Sequence, residues 1–364
     1  MALREWKAGD WVEVRCREEV IETLDRRGQL DGLPFMPEMF AFCGRRFRVY
    51  KRAHKTCDTV TGDYRGRKMT DAVHLDGIRC DGRSHGGCEA GCLIFWKGAW
   101  LRKVSGPSGD SGGGLAANET QSAASSAPGQ CTEADVVRGT MAGSQGEAGE
   151  AAYVCQATRI PAATAPLSAW DVRQYIEDYT SGNVGLRRIA CGFIYMGYKS
   201  LARVRGGRIL RWLYDASAGL RGGLKYPRKY GTIPEGTRTP TGNLDLQPGE
   251  LVRVKSYEDI LATCDTNNRN RGLYFDAEMV PYCGRVYRVL RRVTNILNEK
   301  TGKMERMKSP CIILEGVVCQ ARYSECRLFC PRSIYPYWRE IWLERVAERR
   351  MEVSSVAPPC VTKG

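Results

Sequence analysis

Apolar and polar residues alternate in DWVEVR (10–15) and again in ELVRVK (250–255), the period of a strand with one buried face. Each stretch is followed by apolar residues at helical spacing, EEVIETLD (18–25) and EDILATCD (258–265), which predict a short helix. Alternation returns in RRFRVYKR (45–52) and RVYRVLRRV (285–293). It stops at TG turns (61–62 and 301–302) and resumes in AVHLDGIRC (72–80) and CIILEGVVC (311–319). A glycine-led first strand, a hairpin and a closing strand predict a small, strongly bent β-barrel of the SH3-like kind with an inserted helix. Between the two regions the period becomes helical. SAWD (168–171) resembles a capping box opening a helix through about Tyr179, and VGLRRIACGFIYMGYKSLARVR (184–205) and RILRWLYDASAGL (208–220) follow.

The two strand-rich regions are also alike residue by residue. At an offset of 240, residues 9–62 align with 249–302 without a gap, and 19 of 54 positions are identical. After a one-residue gap, VHLDGIRC (73–80) meets IILEGVVC (312–319), and FWKGAWLRKV (95–104) meets YWREIWLERV (337–346). The chain therefore reads as a tandem duplication: module A at 8–104 and module B at 248–347. Residues 105–165, rich in Gly, Ser and Ala, are expected to be a flexible linker, 166–225 a helical segment and 348–364 a tail. The fold class is mixed, mainly β: two homologous modules flanking a helical middle. Trp96 and Trp100, matched by Trp338 and Trp342, have period four and are expected to pack into cores rather than to stack on a ligand.

An apolar fraction of 43% over 364 residues is enough for real cores. The opening MALREWKAGDWVEV has no apolar signal core, and no run of about 18 apolar residues occurs, so a soluble cytoplasmic protein is expected. In a reducing compartment, sixteen cysteines read as metal ligands or catalytic thiols rather than disulfides. A net charge of +14 favours an acidic partner, such as an acidic carrier protein or RNA. The basic amphipathic stretch 186–214 makes peripheral membrane contact a further option.

Four cysteines recur at matched positions: Cys43 with Cys283, Cys80 with Cys319, Cys88 with Cys326 and Cys92 with Cys330. Four thiolates satisfy a closed tetrahedral zinc site, so two zinc ions per chain are expected, with iron or an iron–sulfur cluster as the alternative. Alternatively Cys43 and Cys283, each before Gly-Arg, are small buried apolar residues and another group completes each site. All three histidines, His54, His74 and His85, fall in module A. In module B, Thr294, Leu297 and Ile313 stand opposite His54, Cys57 and His74. Module A can thus supply an open-coordination metal, with His54, Cys57 and His74 as extra ligands or proton-transfer groups, while the site in B is structural. The recurring acid Glu38 is expected to pair with Arg45 or Arg48. No phosphate loop, HExxH or nucleophile elbow occurs.

The stretch GLYFDAEMVPYCGRVYRVLRRV (272–293), with CIILEGVVC and FCPRSIYPYWREIWLERV after it and WDVRQYIEDYTSGNV and LDLQPGELVRV before it, resembles an uncharacterised bacterial protein family over about 168–346. The resemblance implies bacterial origin and a biosynthetic setting. Two functional expectations follow. One is a metal-binding scaffold or accessory protein that holds an acidic partner. The other is a metal-dependent biosynthetic tailoring enzyme, with the active metal in module A and a structural one in module B.

Overall fold

The structure is a computed structural model and describes residues 6–62, 65–107, 131–142, 151–201, 207–217, 227, 229–324 and 327–346. In chain order, module A contains β1 (Trp11–Val14), α1 (Arg17–Ile21), β2 (Gln29–Leu30), β3 (Leu33–Pro34), β4 (Arg46–Arg52), β5 (Lys55–Cys57), β6 (Gly66–Lys68), β7 (Ala72–Arg79), β8 (Leu93–Lys97) and β9 (Leu101–Val104). The middle contributes α2 (Glu133–Arg138), α3 (Ile160–Ala163), β10 (Ala165–Pro166), α4 (Arg173–Thr180), α5 (Leu186–Leu201) and α6 (Gly207–Ala216). Module B contains β11 (Leu251–Val254), α7 (Tyr257–Ala262), β12 (Arg269–Asn270), β13 (Leu273–Tyr274), β14 (Val286–Leu297), β15 (Met304–Leu314) and β16 (Leu343–Arg345).

The architecture is mixed and strand-rich, with two curled half-barrel sheets. One has the order β8-β7-β4-β1-β9 and the other β15-β14-β11-β16. Register shifts between Val49 and Lys51, and between Val289 and Arg291, bend the matched strands β4 and β14 at equivalent places. The offset of 240 carries the pairing over as well. Val12 faces Phe47 in one sheet and Val252 faces Tyr287 in the other. The cores repeat too. Phe35 meets Trp100 edge-on at 5.1 Å between ring centroids, and Phe275 meets Trp342 at 5.3 Å. Trp100 donates to Thr23 Oγ1 at 3.0 Å, and Trp342 to Thr263 Oγ1 at 2.9 Å. All four matched tryptophans are buried, so they are core and not a stacking platform.

The expected flexible linker is folded where it is described. Thr132 caps α2, accepting from Asp135 N, and Val136 is buried against module A. The buried Gln156 amide bonds Phe95 N at 2.8 Å, Phe95 O at 2.9 Å and Pro34 O at 3.0 Å. These segments supply apolar area and hydrogen bonds that module A lacks by itself, so they close it instead of spacing it. Residues 108–130 and 143–150 of the linker, and the tail from 348, lie outside the described residues. The first middle helix starts at Arg173, later than SAWD suggested. Ser168 and Asp171 use their side chains on local turns, accepting from Trp170 N and Arg173 N. Gly192 lies in α5 where any Cβ would strike the Phe329 ring, which fixes that helix against module B. No helix among the described residues is long and apolar enough to cross a membrane.

The modules differ in the course of one hairpin. In B the hairpin β14–β15 runs unbroken for 12 and 11 residues. In A the corresponding hairpin is interrupted at Ala53 and His54. Its tip, β5 and β6, forms a separate sheet with β10.

Candidate metal centre and thiol seam

Glu38 lies in the first turn of a 3-10 helix, Pro37–Phe42, and Cys80 directly follows β7. His85 sits in the turn after it, where Gly82 has φ +75° and a Cβ would collide with the Cys88 carbonyl. These elements bring Glu38, Cys80 and His85 together with all three donor atoms within 4.8 Å of one another. The Cys80 thiol donates to Glu38 Oε1 at 3.1 Å, and His85 Nδ1 lies 3.6 Å from the same oxygen. His85 Nε2 is 3.1 Å from the Val154 carbonyl. A carbonyl only accepts, so Nε2 carries the proton and Nδ1 presents a lone pair to the cluster. His85 Nδ1 and Glu38 Oε2 are both buried without a hydrogen-bond partner. Donors around tetrahedral zinc lie about 3.3–3.8 Å apart for bond lengths of 2.0–2.3 Å, so the spacing suits a cation. Burial, and then the Glu38 carboxylate, push the Cys80 thiol far up. A thiolate beside that carboxylate therefore needs a bound cation.

The cluster borders a cavity of about 40 Å³ lined also by Cys88, Cys92 and Cys155, and by Glu299 and Arg332 from module B. Burial pushes Cys92 up to about 11 and Cys155 up to about 12. The Cys88 sulfur accepts from Leu297 N at 3.3 Å. Glu89 accepts from Thr294 N and from Asn295 N, the latter at 2.8 Å, so the 80–92 loop is clamped on β14.

The expected ligand quartets do not assemble as such. Cys43 packs at the edge of the module A core beside Arg17 and Cys16. Cys283 packs on the module B core near Glu258. Both are half-buried, and neither belongs to the converging donor set. Cys326 lies outside the described residues. Cys319 and Cys330 face Cys57 of module A, which the broken hairpin carries across. His54 turns the other way, with Nε2 3.2 Å from the Gln174 carbonyl and 3.3 Å from Asp178 Oδ1. Its neighbour Lys55 forms a buried ion pair with Asp178 Oδ2 at 2.5 Å. His74 is buried against the Phe95 ring at 4.4 Å, with Nδ1 2.9 Å from the Ile94 carbonyl. Burial lowers it to about 3, so it stays neutral. Glu38 does not pair with Arg45 or Arg48 as expected, because its carboxylate is taken by Cys80 and His85.

Three participants escaped the sequence reading: Glu38 and His85 as donors and Cys155 as a cavity wall. The only signal for Glu38 was an acid recurring in an apolar run. Its counterpart Glu278 shows the structural use of that position, accepting from Arg322 N at 2.9 Å and Tyr323 N at 2.6 Å.

A second thiol group lies where the modules meet. The adjoining Cys330 thiol, with Arg332 and Arg327, lowers Cys57 to about 6 against the opposing effect of burial. Arg332 Nη1 lies 3.9 Å from that sulfur. Both cysteines line a half-open cavity of about 270 Å³ with Cys319, Arg327 and Arg332. No protein-family model matches this chain, and neither a curated protein nor a solved structure does.

Proposed function

We propose that this is a metal-binding protein holding one divalent ion, zinc by its mixed oxygen, sulfur and nitrogen donors, at Glu38, Cys80 and His85. The observation that carries the reading is the pair of buried lone pairs without partners, on His85 Nδ1 and Glu38 Oε2, converging on a thiol. The reading places one site in module A instead of a thiolate quartet in each module. The ion would be held by three protein donors, with a fourth position toward the thiol-lined cavity. Closed structural sites have four protein donors, whereas catalytic ones keep a position open. We therefore favour the metal-dependent enzyme over the scaffold, with module A as the working half. Module B is its duplicated SH3-like counterpart and supplies the opposite wall.

Elemental analysis of the purified chain tests this. One zinc per chain is expected, lost in Glu38→Gln and His85→Ala and kept in Cys43→Ser and Cys283→Ser. Two zinc ions per chain, or a metal content insensitive to Glu38 and His85, would overturn it.

A second reading, an acidic partner such as RNA, has its own support. A cavity of about 380 Å³ is lined by Arg187, Arg188 and Arg322 together with three tyrosines. Nε of Arg188 and of Arg322 are buried without a partner. RNA binding that weakens with salt and is lost in the triple alanine variant would support it, because phosphate contacts release counterions. Binding unchanged in that variant would remove it.

A further inference from the structure

We infer that Cys57 and Cys330 form a dithiol that reduces small hydroperoxides, with Cys57 as the attacking thiolate and Cys330 as the resolving thiol. The inference does not depend on the metal site, since neither cysteine belongs to the converging donor set.

Four observations point to it. Cys57 and Cys330 are 273 positions apart yet share one buried cluster, which Cys319 and Ile334 pack against. Cys57 reaches that place only because the module A hairpin breaks after β4 and redirects β5; its counterpart Leu297 stays within the continuous β14. A cation is held beside the Cys57 sulfur by contacts that leave it little freedom. Arg332 is 2% exposed, donates to Thr59 Oγ1 at 2.7 Å and pairs with Glu299 Oε1 at 2.9 Å. A guanidinium so placed favours the thiolate, the nucleophilic form. Finally, both cysteines line a half-open cavity of about 270 Å³, large enough for a small hydroperoxide and too small for a protein disulfide.

The chemistry balances. The Cys57 thiolate attacks the distal peroxide oxygen and breaks the O–O bond. The alkoxide leaves as the alcohol after taking a proton, and Cys57 becomes a sulfenic acid. The Cys330 thiol then attacks that sulfur. The S–S bond forms, the S–O bond breaks and water leaves. In sum, two thiols and one hydroperoxide give one disulfide, one alcohol and one water. The peroxide is reduced by two electrons and the cysteine pair is oxidised by two.

Other cysteines provide the internal control. Cys264 and Cys311 are buried, and burial pushes each up to about 11.

The test treats the reduced, zinc-loaded full chain with one equivalent of hydrogen peroxide and maps the products by mass spectrometry. The expected first product joins tryptic peptides 56–65 and 328–332. It should form at least about 10-fold faster than Cys264 or Cys311 is oxidised. Cys330→Ser should stop at a sulfenic acid on Cys57 that a carbon-acid probe such as dimedone captures. Cys57→Ser should abolish the fast phase while keeping its zinc. Arg332→Lys, which keeps a charge but not the divided contacts, should slow the first step and leave the cross-link the same. Oxidation of Cys57 no faster than of the control cysteines would overturn the assignment. So would a fast phase that survives Cys57→Ser, or a first disulfide between other residues.

Discussion

Modules A and B place a glutamate at the same point of the same 3-10 helix and use it differently. Glu278 spends both oxygens on backbone amides of Arg322 and Tyr323, which ties down the loop after Cys319. Glu38 meets a loop that offers a thiol and an imidazole lone pair instead, and one of its oxygens has no partner. The hairpins diverge in the same sense. The unbroken β14–β15 is a plain structural ribbon. The interrupted one in A sends Lys55 to Asp178 and Cys57 to Cys330. At the matched glutamate B satisfies both carboxylate oxygens within its own module, whereas A leaves three donor groups facing one another. The candidate metal-ligand group thus falls where A departs from the arrangement seen in B.

The largest effect should come from the contact that anchors the broken hairpin. Asp178→Asn leaves Lys55 buried without its counter-charge, with only the Gln174 side-chain oxygen to accept from it, which should cost about 3–5 kcal/mol in urea denaturation. Lys55 aligns with Asn295 in module B, and Asn295→Ala should cost under about 1 kcal/mol. Equal costs would erase the distinction between the hairpins. The matched glutamates give the sharpest separation. Glu278→Gln should lower stability by about 1.5–3 kcal/mol through lost charge-assisted bonds and leave zinc content unchanged. Glu38→Gln should lower zinc affinity by more than the about 10–100-fold typical of outer-shell partners, with little change in the stability of the metal-free chain. Metal loss from both variants, or from neither, would break the contrast.

A further contrast concerns His74 and its counterpart Ile313. The folded imidazole is held at about 3, below the ordinary value of about 6.5 that it has when unfolded. Below pH 6.5 the unfolded chain binds the proton and the folded chain does not. Stability should therefore fall with pH by about 1.4 kcal/mol per unit until about pH 3. Between pH 7 and pH 5, this group should remove about 2 kcal/mol that His74→Ile does not lose. Parallel pH profiles for the two chains would show that His74 is not the neutral, buried group described.

Matched elements were legible because the strand pattern depends on local alternation that both regions show, and Val12 and Val252 end up in equivalent pairs. Tryptophan burial was legible for the same reason. The donor set was not, because ligation is decided by loops with no period. Cys43 and Cys283 recur as faithfully as Cys80 and Cys319 do, yet recurrence does not distinguish a packed thiol from a ligand. Likewise HKTC reads like any hairpin edge. Only tertiary contacts reveal that His54 turns to α4 while Cys57 turns to module B. The Gly-, Ser- and Ala-rich composition of 105–165 concealed Val136, Gln156 and Ile160, a few residues sufficient to dock parts of that stretch.

Arg332 divides its donors between the halves, reaching Thr59 and the Cys57 carbonyl on one side and Glu299 on the other while excluded from water. A charge so confined acts as a bolt. Sliding or hinging one half past the other would strand it, at a cost that small-amplitude breathing cannot meet. Relative motion of the halves is then costly, and molecules reach the seam through its half-open cavity rather than by the opening of a cleft.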